Sequence, residues 1–166
     1  MKVINMATIH IDEVKALAQR AHSDVAAREE LFATALADDG RRSSQAAWVL
    51  THLPKEDVAH VAKHRDELIR VAMSTNDTSL RRISLSLLER LQWDDVDVRL
   101  LDFCLDSMSR RDEPYGVRSL CMKLAYTLSC HYPELKDELR RAMEYIEPDE
   151  LGAGVRCARN KILNML

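Results

Sequence analysis

The chain is expected to be all-α, a solenoid of helical hairpins preceded by one N-terminal helix, and three observations carry that expectation. Only 4 Gly and 4 Pro stand among 166 residues, too few for a sandwich or barrel, which turns about every ten residues. Apolar residues recur at i, i+3, i+4 and i+7 along most of the length, the spacing of one helix face. One helix design also returns four times, its final leucines Leu53, Leu91, Leu128 and Leu166 lying 38, 37 and 38 positions apart.

The elements follow in order. Asp12 to Ala21, with Val14, Leu17, Ala18 and Ala21 on one face, is expected to be a capping helix within residues 1–23, covering the open end of the stack. Four repeats follow, at about 24–54, 55–92, 93–131 and 132–166, read as one domain over 1–166. Their first helices are expected over Arg28–Asp39, Val61–Asp77, Val96–Glu113 and Glu134–Glu150. Their second helices are expected over Arg42–Leu53, Leu80–Leu91, Val117–Leu128 and Val155–Leu166, giving nine helices and no strand. Counting back four positions from each closing leucine gives Val49, Leu87, Leu124 and Ile162; counting back three gives Leu50, Leu88, Ala125 and Leu163. The position seven before holds Ala46, Ser84, Cys121 and Arg159, small in three cases where helices must approach closely. Arg159 is read there as the mark of a last helix with no following neighbour. Pro54 and Pro133 suit first helical positions, where the missing N–H costs nothing, and Asp94 suits an N-cap.

A hairpin at this period, with an acidic turn followed by a hydrophobic-Arg pair, resembles the HEAT/armadillo-like repeat family over about residues 24–166. The carrying residues are Asp77 with Leu80-Arg81, Asp112 with Val117-Arg118, and Glu150 with Val155-Arg156; repeat one has Arg42-Ser43 instead. The resemblance implies a right-handed α-α superhelix whose second helices line the concave face. It also implies a ladder of turn carboxylates and arginines joining neighbouring repeats.

Net charge is −3, unevenly spread: Arg41, Arg42, Arg81, Arg82, Arg90, Arg118, Lys123, Arg156, Arg159 and Lys161 against Glu89 leave the second helices at +9 and the remainder at −12. With the resemblance, this implies a basic groove able to attract acidic partners. Seven turn carboxylates, Asp38, Asp39, Asp77, Asp112, Glu113, Asp149 and Glu150, precede these arginines and reduce the excess to +2. The preferred reading of the arginines is therefore structural.

Candidate binding residues are Trp48, Arg82, Leu85, Met122, Lys123 and Tyr126, which fall off the main apolar stripe of the second helices. Trp, Tyr and Arg are the residue types that carry interface energy. Asp57, His60 and His64 share a helical face, but no further ligand is placed by sequence to complete a site, and no metal or other cofactor is expected. No Gly-x-Ser-x-Gly, Gly-rich phosphate loop or His-Glu-x-x-His occurs, and no catalytic residue is nominated. Cys104, Cys121, Cys130 and Cys157 form no Cys-x-x-Cys pair and read as free thiols. Met1 to Ile11 lacks the apolar core of a signal peptide, and no 18-residue apolar run occurs. The expected location is the cytoplasm, without membrane attachment.

The function expected is that of a non-enzymatic module or scaffold that binds another protein, acidic or amphipathic, through the second-helix face. The alternative is a nucleic-acid-binding or DNA-repair protein resembling the HEAT-like alkylpurine DNA glycosylases, to which Trp93-Asp94-Asp95 is the one point of likeness.

Overall fold

The structure, a computed structural model, describes residues 8–166. The expectation for Met1–Ile11 lies largely on residues 1–7, outside that range. The described residues are helical, with no strand among them, and the chain divides into two compact units, Met1–Leu91 and Gln92–Leu166.

In the first unit, α1 (Ile11–Ser23) begins with a reciprocal cap: the His10 backbone N–H donates to Glu13 Oε2 at 2.8 Å. It buries Val14, Ala18 and Ala21. Asp24 starts α2 (Val25–Leu36) one residue after α1 ends, because its carboxylate accepts from the Ala26 and Ala27 N–H groups that helix geometry leaves unpaired. Leu31, Phe32 and Ala35 of α2 face α3 (Gly40–Leu50) in the hairpin core. The turn between them needs left-handed backbone, supplied by Asp38 at φ 52° and Gly40 at φ 49°, residue types that enter this region most readily. After a 3-10 turn at Lys55–Asp57 come α4 (Val58–Lys63), α5 (Arg65–Ser74) and α6 (Thr78–Glu89). The carboxylate of Asp77 accepts from Ser79 and Leu80 N–H to start α6.

A single helix was expected over Val61–Asp77, but the structure holds two, broken at His64. The His64 N–H bonds to Val61 O at 3.0 Å, a tightened i−3 turn. Its imidazole stacks on Phe32 at 4.2 Å between ring centroids and lies within 3.5 Å of Glu29 and 3.3 Å of Glu67. The side chain is thus anchored to α2 at the point where the helix bends. Ten α-helices, one more than expected, therefore stand among the described residues.

In the second unit, α7 (Val98–Ser109) pairs with α8 (Tyr115–Ser129), and α9 (Pro133–Tyr145) leads through a 3-10 turn at Pro148–Glu150 to α10 (Ala153–Met165). Pro133 takes the first turn of α9 as expected. The cap of α7 is Asp97, which accepts from Leu100 N–H at 3.0 Å, rather than Asp94, which lies three residues too early. Leu100, Leu101, Cys104 and Met108 of α7 are buried with Val117, Leu124 and Leu128 of α8. Leu139 and Met143 of α9 are buried with Val155 and Ile162 of α10. Each large apolar side chain so enclosed contributes about 1.5–3 kcal/mol.

Within each unit the repeat period reappears as hydrogen bonds between equivalent regions of successive hairpins. The Thr75 hydroxyl donates to Asp38 Oδ1 at 2.6 Å across 37 positions, joining two intra-hairpin turns. Arg111 pairs with Glu150 across 39 positions, doing the same in the second unit. The Tyr132 hydroxyl donates to Asp95 Oδ1 at 3.1 Å across 37 positions, joining the segments that open two hairpins.

Candidate interaction surface

The arginines of the second helices separate into two groups. Members of the first reach the carbonyl ends of other helices. Arg81 Nε donates to Ala72 O of α5 at 3.0 Å, and its Nη2 to Thr75 O. Arg90 donates to Thr51 O and Leu53 O at the end of α3, at 2.9 and 3.1 Å. Arg118 Nε donates to Met108 O of α7 at 2.9 Å, and Arg159 Nε to Met143 O of α9 at 2.9 Å. Arg156 instead reaches Leu151 O, at the end of the 3-10 turn that leads into its own helix, at 3.2 Å. The last four carbonyls of a helix lack intrahelical partners and carry the negative end of its dipole, so a guanidinium there satisfies both. Ser43 occupies the arginine position of the first repeat and does the same work, donating to Thr34 O of α2 at 2.7 Å while accepting from Asp39 N–H at 2.8 Å. Buried Arg159 thus caps α9.

The second group, Arg41, Arg42 and Arg82, is exposed, as are Lys123 and Lys161. Asp38 is engaged by Thr75 and Asp77 by the α6 N-terminus, while Asp39, two residues before Arg41, is exposed and makes no side-chain cap to α3. In the first unit α3 and the N-terminal half of α6 form a groove of about 290 Å³, lined by Arg41, Ser44, Gln45 and Trp48 from α3 and by Ser79, Arg82 and Ile83 from α6. No carboxylate lines it. Trp48 is half-buried, its indole set edge-on to His52 one turn later, at 6.0 Å and 77°. Gln45 is buried, and its Oε1 has no hydrogen-bond partner.

Of the residues nominated from sequence, Trp48 and Arg82 come together in this groove. Lys123 is exposed on α8 and Tyr126 half-buried; the Tyr126 hydroxyl bonds to the Cys130 thiol, which raises its pKa above the usual tyrosine value. Leu85 and Met122 are corrected: both are completely buried and cannot anchor a partner. The second helices are covered on more than one side, α6 by α5 and α3, and α8 by α7, α9 and α10. Their buried arc therefore extends beyond the stripe that meets the first helix. The equivalent position is buried Ala47 on α3 and exposed Asn160 on α10. Sequence reasoning missed Arg41 and Gln45, although their spacing with Trp48, i, i+4 and i+7, is that of one helix stripe.

A family model described as a HEAT repeat domain matches residues 5–166. The chain belongs to the HEAT repeat family. Comparison with curated proteins and with solved structures gave no match. HEAT repeats generally mediate protein–protein contacts and scaffolding.

Other nominated features of this HEAT repeat chain have local partners. Asp57, buried in its 3-10 turn, lies 2.9 Å from His22 Nδ1, whereas His64 pairs with Glu29 and Glu67, so Asp57 and His64 do not converge. Trp93 is buried, and Asp95 accepts from Val96 N–H and the Tyr132 hydroxyl. Those two bonds, the backbone one first, hold the Asp95 carboxyl below its usual range, with His131 adding to the effect. The triplet is therefore built into an inter-hairpin connection, and the indole presents no face to a base. Cys104 and Cys121 are buried beside each other; the bond to Cys121, then burial, pushes the Cys104 thiol up. Such a thiol is a weak nucleophile. No helix of the described residues is long and apolar enough to cross a membrane.

Proposed function

We propose that the protein is a non-enzymatic HEAT scaffold that binds another protein through its second helices. The observation that carries this reading is the α3–α6 groove, where two exposed arginines flank a half-buried tryptophan and no carboxylate is among the lining residues. Arginine and tryptophan dominate interface energetics, and unbalanced charge at such a surface accelerates encounter with acidic partners. Cysteine usage, with two buried thiols left unpaired, supports a reducing compartment such as the cytoplasm. A nucleic-acid reading would need a longer run of free cations to neutralise successive phosphates. Five second-helix arginines are instead bonded to carbonyls.

The test is affinity capture with the full chain, comparing the native protein with a Trp48→Ser, Arg82→Glu variant of equal melting temperature. Partners that bind the native chain and are lost from the variant support the reading. Partners that bind both equally place binding elsewhere. A gel-shift at low salt addresses the rival: micromolar binding to duplex DNA that weakens steeply with salt favours the nucleic-acid reading.

A further inference from the structure

Resting on the scaffold reading, we infer that the α3–α6 groove is a pocket for a short acidic peptide segment, taking one Asp or Glu side chain beside one large apolar residue. Arg41 and Arg82 approach the groove from opposite helices, and among the described residues neither makes an ion pair or side-chain hydrogen bond. A carboxylate between them gains charge-assisted bonds from both sides. Trp48 and Ile83 supply an apolar wall to the neighbouring residue.

Gln45 also lines the groove, but its Oε1 is enclosed and out of reach of an occupant. The groove joins two cations to an apolar wall, so the occupant is a peptide, not a lone anion: it must bring a carboxylate and an apolar side chain within about 290 Å³. A nucleic acid would bring phosphates to the arginines, but one half-buried indole and two cations form no track for a phosphate backbone.

The experiment is selection of a random dodecapeptide display library on the full chain, with counter-selection on an Arg41→Ala, Arg82→Ala variant. Enriched peptides are expected to share an acidic residue within two positions of an aromatic or large aliphatic one. In titrations they should shift the Trp48 indole N–H resonance, assigned with Trp48→Phe. The double arginine variant should lose about tenfold or more in affinity, as expected for desolvated charge-assisted contacts, while keeping its melting temperature. Replacing the acidic residue of the peptide by its amide should abolish selectivity. Failure to enrich any peptide, enrichment without acidic residues, or tighter binding of a dT12 oligonucleotide overturns the inference. Enriched peptides that leave the Trp48 resonance unmoved overturn the pocket but leave the scaffold reading standing. That reading fails separately if captured partners are indifferent to the second-helix variants.

Discussion

Arg118 and Arg82 lie on successive second helices at neighbouring repeat positions, yet removing the first is expected to disturb the protein far more than removing the second. Arg118 is 1 % exposed and caps α7 through Met108 O. Arg118→Ala is expected to destabilise by about 2–4 kcal/mol, from an orphaned helix carbonyl and the cavity left behind. Arg82→Ala should stay within about 0.5 kcal/mol, as for surface positions in general. Urea denaturation of both variants checks the contrast; equal costs would show that Arg118 does not act as a cap. A second prediction concerns Asp95. Its folded pKa is depressed, so its contribution to stability is present above the unfolded carboxyl pKa and is lost as pH falls through the folded value. Tyr132→Phe removes one of the causes, so the Asp95 pKa should rise and part of that acid-sensitive stability should vanish. Carboxyl NMR titration reads this directly, and an unmoved Asp95 would contradict the hydrogen bond.

At the scale of elements, α10 shows how each helix depends on its neighbours. It packs against α8 and α9 and buries Val155 and Ile162. Ile162→Ala should cost about 2–5 kcal/mol, measurable as a fall in melting temperature; an unchanged value would mean that α10 is not integral. The hairpins were legible in sequence because a 3.6-residue apolar period survives in every one. The break at His64 was not, since it arises from stacking on Phe32, a contact across 32 positions that no local pattern encodes. The cap at Asp97 was missed for a smaller reason: Asp94, Asp95 and Asp97 all offer a carboxylate near the helix start, and only packing of α7 selects one. Of the candidate site, Trp48 and Arg82 were legible as polar-capable residues off the stripe. Leu85 and Met122 satisfied the same spacing test, but spacing counts the apolar faces of one helix and does not reveal how many neighbours cover it. The capping arginines show the same limit, because a carbonyl acceptor leaves no residue signature in sequence.

For the molecule as a whole, the division at Leu91 and Gln92 predicts how stability is distributed. In repeat proteins, stability is close to a sum of local and nearest-neighbour terms, so a lesion need not loosen every part equally. Leu124→Ala, in the core of the second unit, should accelerate amide exchange in α7, α8, α9 and α10 more than in α1, α2 and α3. Uniform acceleration throughout would show one cooperative block instead.

The bonds spaced by one repeat also constrain how such a gene can change length. Thr75 meets Asp38, and Tyr132 meets Asp95, only while 37 positions separate the partners. A codon gained or lost inside a helix between them rotates everything beyond it by about 100° and pulls the partners out of phase. Duplication of a whole hairpin instead brings its own matching donor and acceptor with it. Growth by complete units is thus the tolerated route, and small insertions should survive only in the connections that can bulge outward without disturbing either partner.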